Sequence, residues 1–450
     1  MESTRRLSPG QHRLWFLEQL NEANGLYNEY ACARISGPLN VPAMYQALME
    51  LTRIHESLRW VVKCDQGTCV ATVRPPAIPR WLVTVHLDEI AEVEEREQLY
   101  RHYATQVARR PFDLAAGPLW RVLLFRFSRN NFALTIVMHH IISDAWSMQI
   151  LVEDLCQAYR AMVLGEALSP KCADYIPGMN HETQCSHHVQ YWVKKLANSP
   201  PPVSLPVHRC WPVVRTFTGK KQYFTLDEDT SALLRARIRE AHATPFIYML
   251  ALWTAYLGIS TGSRDLVIGT TTDGRYEKGT ERLIGFFVNT LAIRTEIRRP
   301  DSFSEYLKQV RAISLEALDH REARFEQVVR ALNLPRIPNR QPLFEVMFIY
   351  VNTPVLKLAL PEVEVRLTPE DVTLGLSKFD LVISFWEDGS VVRGLIDYSL
   401  ELYDPSEINT HVNRFLQFTT RAVERPDLQL RQLIAGNQIP ASIVEELQST

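Results

Sequence analysis

The sequence predicts an α/β fold, and three observations carry that expectation. Strand-like and helix-like segments mix in both halves of the chain, which favours layered α/β architecture over all-β. A chain of 450 residues is too long for one ordinary core, so two domains or one large α/β unit is expected. Near the middle, "SPPPVSLPVHRCWP" (199–212) carries five prolines and reads as a connector close to a domain boundary.

Taken in order, the elements have local reasons. "SPGQHRLWFLEQL" opens a helix, with Ser8 as N-cap and Pro9 at the first helical position. "LWRVLLFRF" and "FALTIVM" are apolar runs of strand length joined by the polar turn "SRNN", which reads as a hairpin or as two neighbouring strands of one sheet. Met148, Leu151, Val152, Leu155, Cys156, Tyr159 and Met162 then recur at steps of three and four, one face of a helix. Past the connector come a strand, "KKQYFTL", and two helices, "DTSALLRARIREAHA" and "PFIYMLALWTAYLG". "EVMFIYVN" and "KFDLVISFWEDGSVVRGLIDYS" are strand-rich. No sequence repeat and no low-complexity tail is evident.

Composition excludes several classes. The chain is 46% hydrophobic and 22% charged, as globular proteins are, and its net charge of −2 gives no footprint for nucleic acid. No run approaches the eighteen or so apolar residues of a membrane span, so no membrane role is expected. "MESTRRLSPG" lacks an apolar signal core, which argues for the cytoplasm. Seven scattered cysteines suit reduced thiols better than a disulfide framework. "HETQCSHHVQYW" sets Cys185 near His181, His187 and His188, but without a second ligand cluster it reads as a polar helix face, and no metal is expected.

The stretch with chemistry in it is "MHHIISDAWSM" (138–148). His139 and His140 fall where a buried strand gives way to a helix beginning near Asp144. Neighbouring extended residues point to opposite faces, so one imidazole faces a cleft and the other faces packing. That weakens a metal site, which would need both. An imidazole takes up a proton near neutral pH and can serve as a base if one ring tautomer is held. Asp144 at a helix start shapes the turn, and the N–H of Ala145 or Trp146 could stabilise an oxyanion. A buried histidine pair with an N-capping aspartate is the other reading, and the residues by themselves leave both open.

Around this turn the sequence resembles the condensation domains of nonribosomal peptide synthetases, in the chloramphenicol-acetyltransferase-like superfamily. "HHIISDAWSM" matches their HHxxxDG hallmark, with Ala145 where glycine is usual. "SPGQHRLWFLEQL" with Tyr27-Asn28, "IHESLR" with Ile54 for arginine, "PFDLAAGPLWRVLL", "TTDGR", "LIGFFVNTLAIR", "FEQVV", "PLFEVMF" and "SKFDL" are similar to further family motifs in the family's order. The resemblance runs from about residue 8 to about residue 425.

It implies two acetyltransferase-like subdomains, 1–177 and 178–450, in a V-shaped pseudo-dimer with a central tunnel. It makes His140 the catalytic histidine and His139 its packing neighbour. Asp144, paired with Arg275, and Asn289 become structural supports, with direct catalysis the alternative for Arg275 and Asn289; the backbone of Ala145 is a possible oxyanion donor. Gln11, Arg13, Trp15, Phe286 and Phe287 would shape the core or tunnel. The implied reaction transfers an acyl or peptidyl group from the phosphopantetheine thioester of an acyl or peptidyl carrier protein to an amine or hydroxyl. The acceptor would come on a second carrier or as a small molecule, to a monomer with no bound cofactor. General base or positioning group is left open for His140. A coenzyme A-dependent acyltransferase and a non-catalytic carrier-recruiting domain are the alternatives. No carrier, adenylation or thioesterase motif is present, so a free-standing enzyme or an excised module is expected; Met1 favours the first.

Overall fold

The computed structural model describes residues 3–20, 25–65, 67–76, 82–166, 186–206, 209–298, 301–335, 340–352 and 359–434. The chain forms two compact units. One comprises Met1–Glu182, Asp273–Val288 and Thr353–Leu374; the other comprises Thr183–Thr272, Asn289–Asn352 and Gly375–Thr450.

The first unit begins with β1 (Ser3–Arg6), α1 (Pro9–Leu20), β2 (Asn28–Ser36) and α2 (Val41–Ile54). It continues through β3 (Trp60–Asp65), β4 (Thr68–Val73), β5 (Leu82–His86), α3 (Val93–Arg109), β6 (Trp120–Ser128), β7 (Asn131–His139) and α4 (Ala145–Leu164). Its small sheet has the order β1–β4–β3, and its main sheet contains β2–β7–β6–β5. β7 is hydrogen-bonded on both edges, to β2 and β6, and every residue after Asn131 is buried. Cover on both faces is why this strand reads as a continuous apolar run and not as an alternation.

The second unit holds α5 (Ser186–Leu196), β8 (Gly219–Thr225), α6 (Glu228–Glu240), α7 (Pro245–Thr261), β9 (Asp265–Thr272), β10 (Asn289–Glu296), α8 (Phe303–Asp319), α9 (Phe325–Leu332) and β11 (Val346–Tyr350). β12 (Glu364–Leu367) belongs to the first unit, paired with β2. β13 (Leu381–Asp388), β14 (Val391–Ser399) and α10 (Pro405–Glu424) complete the second unit, whose sheet has the order β10–β9–β11–β13–β14–β8. α7 is buried along its whole length from Ile247 to Ile259, which explains a helix that is apolar on all sides.

The two main sheets share a topology that the sequence does not display as a repeat. In each, an antiparallel hairpin (β6–β7, β13–β14) is flanked by a strand parallel to its first arm (β5, β11). A strand antiparallel to its second arm (β2, β8) lies on the other side. A helix follows each hairpin, N-capped by an aspartate five residues past the last strand residue: Asp144 after His139, Asp404 after Ser399. By this correspondence Leu400 stands where His140 stands, so the second unit keeps the frame and lacks the imidazole.

One thiol expectation is corrected. Cys64 and Cys69 are opposite partners in the β3–β4 register and are joined as a disulfide, a pairing that linear spacing does not reveal. Cys32, Cys156 and Cys210 are free, and burial pushes the thiols of Cys32 and Cys156 up, to about 12 and about 11.

In α10, His411 Nδ1 lies 2.9 Å from the Tyr256 hydroxyl, which donates to the His411 carbonyl at 3.1 Å. Burial above all, helped by Arg414 and opposed by Glu407, pushes this imidazole down to about 4. The unfolded chain, with an ordinary histidine near pH 6.5, takes up the proton first. The stabilisation is therefore full above about 6.5 and is lost as pH falls toward 4, by roughly 3 kcal/mol at most. Urea denaturation at pH 7 and 4.5 is expected to show a smaller loss for His411→Leu than for the wild type.

Candidate active site

The site is built by the end of β7. His139, the last strand residue, donates its N–H to the Leu119 carbonyl at 2.9 Å, and its side chain is fully buried with Phe112 edge-on to the ring. Its Nδ1 accepts the Ile141 N–H at 3.0 Å, so the ring proton sits on Nε2, which lies 3.7 Å from Glu18 Oε2.

His140 turns the other way. Its backbone N–H donates to the Tyr27 carbonyl at 2.8 Å, and the chain bends into a single 3₁₀ turn over His140–Ile142. That bend brings the Ser143 carbonyl to 2.7 Å from His140 Nδ1. A carbonyl can only accept, so Nδ1 carries the proton and Nε2 carries the lone pair. The side chain is 19% exposed, and Glu29 Oε1 lies 3.8 Å from Nε2, beyond hydrogen-bond range. The Phe286 ring meets the imidazole edge to face, at 5.0 Å and 88°. Gly10 makes room for that ring, since a Cβ there would come within 2.7 Å of it.

Asp144 caps α4: Oδ1 accepts the Ser147 N–H at 2.7 Å, and Oδ2 accepts the Phe287 N–H at 3.0 Å. Arg275 Nη2 reaches Oδ1 at 3.2 Å, with both side chains at least 95% buried. The contact is single, not the two-pronged clamp a guanidinium can make. The rest of the fork donates to the carbonyls of Thr280 (2.5 Å) and Leu283 (2.8 Å) and to Ser147 Oγ (2.9 Å). Its plane lies over the Phe287 ring, 4.0 Å from the centroid. Burial pulls the guanidinium below its ordinary value, and the Asp144 carboxylate opposes that shift.

Ala145 is the first residue of α4 and lies outside the left-handed region, so the methyl that replaces the family's glycine costs no backbone strain. Its N–H belongs to the first turn, where helical donors lack partners within the helix. Asn289 belongs to the second unit. There its amide donates to the carbonyls of Arg321 (2.9 Å) and Ala323 (2.8 Å) and accepts the Phe325 N–H at 3.2 Å, pinning the link between α8 and α9. His139, His140, Asp144, Ala145 and Arg275 are thus in one unit and Asn289 in the other.

Sequence reasoning passed over Ser147. Its Oγ donates to the Gly285 carbonyl at 2.8 Å and accepts the Gly285 N–H at 3.0 Å, tying α4 to the 273–288 segment. A second tie runs through Arg282, which donates to Glu153 at 2.6 Å and to Asp154; Asp154 also meets His55 Nε2 at 2.9 Å. Polar residues in a helix read as solvent-facing, so neither tie had a signal in the sequence.

Among the described residues no group of three or more histidine, cysteine or acidic side chains could hold a metal. Of the histidine-rich stretch before α5, His181 and Cys185 lie outside the described residues. His188 Nδ1 is 3.0 Å from His320 Nδ1, and His320 stacks on Tyr191. No single helix among the described residues is long and apolar enough to cross a membrane.

Each unit thus carries a like α/β sheet, and in the first the strand-to-helix turn after the hairpin holds His140 with its Nδ1 against the Ser143 carbonyl. The family model for the condensation domain matches residues 1–438, and the chain belongs to that family, whose members form amide bonds in nonribosomal peptide synthetases. It is 34% identical over 437 residues to a component of the linear gramicidin synthase of Brevibacillus parabrevis, covering 95% of this chain and 8% of that protein. It is 33% identical over 449 residues to malpibaldin synthetase of Mortierella alpina, covering 98% and 8%. The chain therefore spans less than a tenth of the length of these two relatives. Among solved structures, the fold matches a four-domain nonribosomal peptide synthetase bound to AMP and glycine at TM-score 0.86 and 20% identity, covering 97% of this chain and 34% of that one. It matches the first condensation domain of the calcium-dependent antibiotic synthetase at TM-score 0.80 and 21% identity, covering 96% and 100%.

Proposed function

We propose that this chain condenses a carrier-bound acyl or peptidyl thioester with an amine or hydroxyl, and that His140 is its catalytic residue. The observation that carries this reading is the 2.7 Å bond from His140 Nδ1–H to the Ser143 carbonyl, which puts the ring's lone pair on Nε2 of a partly exposed side chain. The acceptor nitrogen or oxygen attacks the thioester carbonyl as Nε2 takes its proton. The tetrahedral intermediate then breaks its C–S bond, and the imidazolium returns the proton to the departing thiolate. The Ala145 N–H at the start of α4 is the oxyanion donor in this scheme. Asp144 and Arg275 keep the turn in shape. Much of the acceleration comes from holding two reactants at one place. The thioester is already activated, so the donor arrives on the phosphopantetheine of a carrier protein and no cofactor of the enzyme's own is needed. The acceptor comes on a second carrier or as a soluble amine or alcohol, in the cytoplasm.

Intact-mass measurement tests this. An acyl-loaded carrier incubated with the protein and a panel of amines and alcohols is expected to lose its acyl group to the acceptor, and the matching acyl-coenzyme A is expected to give no product. Product from acyl-coenzyme A alone would favour the coenzyme A-dependent reading. Silence with every correctly paired carrier would favour a recruiting domain.

A further inference from the structure

The first helix presents a buried face that is polar at both ends. Gln11, Leu14 and Glu18 are its buried residues, spaced three and four apart on one side of α1. Burying an amide and a carboxylate two turns apart is costly unless each meets a partner. Both face the turn that carries His140.

Gln11 reaches it directly. Its Oε1 accepts the Ser8 N–H at 2.9 Å, which fixes the orientation of the amide, because only the oxygen can accept there. The other end, Nε2, therefore donates to the Ile141 carbonyl at 2.9 Å. Ser8 Oγ in turn accepts the Gln11 N–H at 3.2 Å, so the side chain is anchored by the helix start itself. Glu18 reaches the turn through an intermediary. Its Oε2 lies 3.7 Å from His139 Nε2, and the far nitrogen of that ring accepts the Ile141 N–H. Glu18 Oε1 and His139 Nε2 have no hydrogen-bond partner among the described residues, so this charge and this ring N–H have each other as their electrostatic match.

Of the backbone groups of Ile141, a residue with no exposure, the carbonyl is thus held from α1 by Gln11, and the N–H by His139, whose far nitrogen faces Glu18 of α1. Ile141 is the central residue of the 3₁₀ turn. Its backbone direction determines whether the Ser143 carbonyl lies in line with His140 Nδ1. We infer that Gln11 and Glu18 are positioning residues for His140, acting through the Ile141 backbone to hold the imidazole in the Nδ1–H tautomer with its lone pair on Nε2. This rests on the catalytic reading of His140 given above, and it assigns the opening helix a part in the reaction beyond core packing.

The test pairs a spectroscopic readout with kinetics. Gln11→Met keeps the length and volume of the side chain and removes the donor; Glu18→Gln keeps the shape and removes the charge. In ¹⁵N-histidine-labelled wild-type protein, His140 is expected to show a single tautomer with the proton on Nδ1. Gln11→Met is expected to give mixed tautomers and a kcat lower by about tenfold to a hundredfold, the scale of a misplaced reacting group, at unchanged KM for the loaded carrier. Glu18→Gln is expected to move both readouts in the same direction and less far. A single Nδ1–H tautomer retained in Gln11→Met, or a loss carried by KM alone, would overturn the inference. Because the tautomer is read without substrate, it is decided separately from turnover: a wild type with the expected tautomer and no product would sink the catalytic reading and leave the clamp standing. If Gln11→Met fails to fold by circular dichroism, Glu18→Gln decides by the same two readouts.

Discussion

His140→Ala is expected to abolish product formation, lowering turnover by about a hundredfold to ten-thousandfold, the range that general acid–base groups contribute. The fold should survive. The side chain is partly exposed and its hydrogen bond to the Ser143 carbonyl stays within the same turn, so the stability cost is about 1 kcal/mol. Carrier binding, measured by calorimetry with the loaded donor, should be unchanged, because the substitution trims a single ring that is mostly buried. His140→Gln serves as a second probe, since an amide can hold a position by hydrogen bonding but cannot carry a proton through the step. Turnover within a few-fold of wild type in His140→Ala would remove the imidazole from the chemistry. Substantial activity in His140→Gln alone would recast it as a positioning group.

The second large effect concerns the buried pair. Asp144→Asn leaves the Arg275 guanidinium, 2% exposed, without its carboxylate, and losing one partner of a buried pair costs about 3–5 kcal/mol. Asparagine can still accept the Ser147 N–H with its one oxygen but loses, with the charge, the acceptor for the Phe287 N–H; Asp144→Ala removes the cap as well and should fall further, by about 1 kcal/mol more. Arg275→Met alone strands the carboxylate and the carbonyls of Thr280 and Leu283. The double variant Asp144→Asn/Arg275→Met should be more stable than the sum of the single losses, because each removes the other's stranded charge. Urea denaturation of the four proteins closes the cycle. Strict additivity, or a single loss below about 1 kcal/mol, would mean the pair is solvated and the turn does not depend on it.

Much of the frame was legible in the residue pattern, and the reasons are local. Ser8 and Pro9 begin α1 because a hydroxyl cap and a fixed φ favour a helix start there. The polar turn between two apolar runs closes the β6–β7 hairpin, and the three-and-four spacing after Asp144 is the buried face of α4. Each depends on neighbours within a few positions. The 273–288 segment is different: it folds with the N-terminal unit, and no periodicity along the chain signals a partner more than a hundred residues away. Ser147 likewise looks like a surface helical residue until Gly285 and Arg275 are seen around its hydroxyl.

By itself the sequence determined which elements form and where a strand hands over to a helix with two histidines at the joint. Spacing sets periodicity, and the strand's alternation puts the two rings on opposite sides. The ring tautomers are set by short bonds within the turn, but only the tertiary structure decided how Arg275 divides its donors and that Gln11 of α1 holds the Ile141 carbonyl. Those are outcomes of hydrogen bonds spanning 128 to 131 positions, from Gln11 to Ile141 and from Arg275 to Ser147 and Asp144. Such bonds form only once hydrophobic burial has brought distant segments into register and stripped away the water that would otherwise satisfy them.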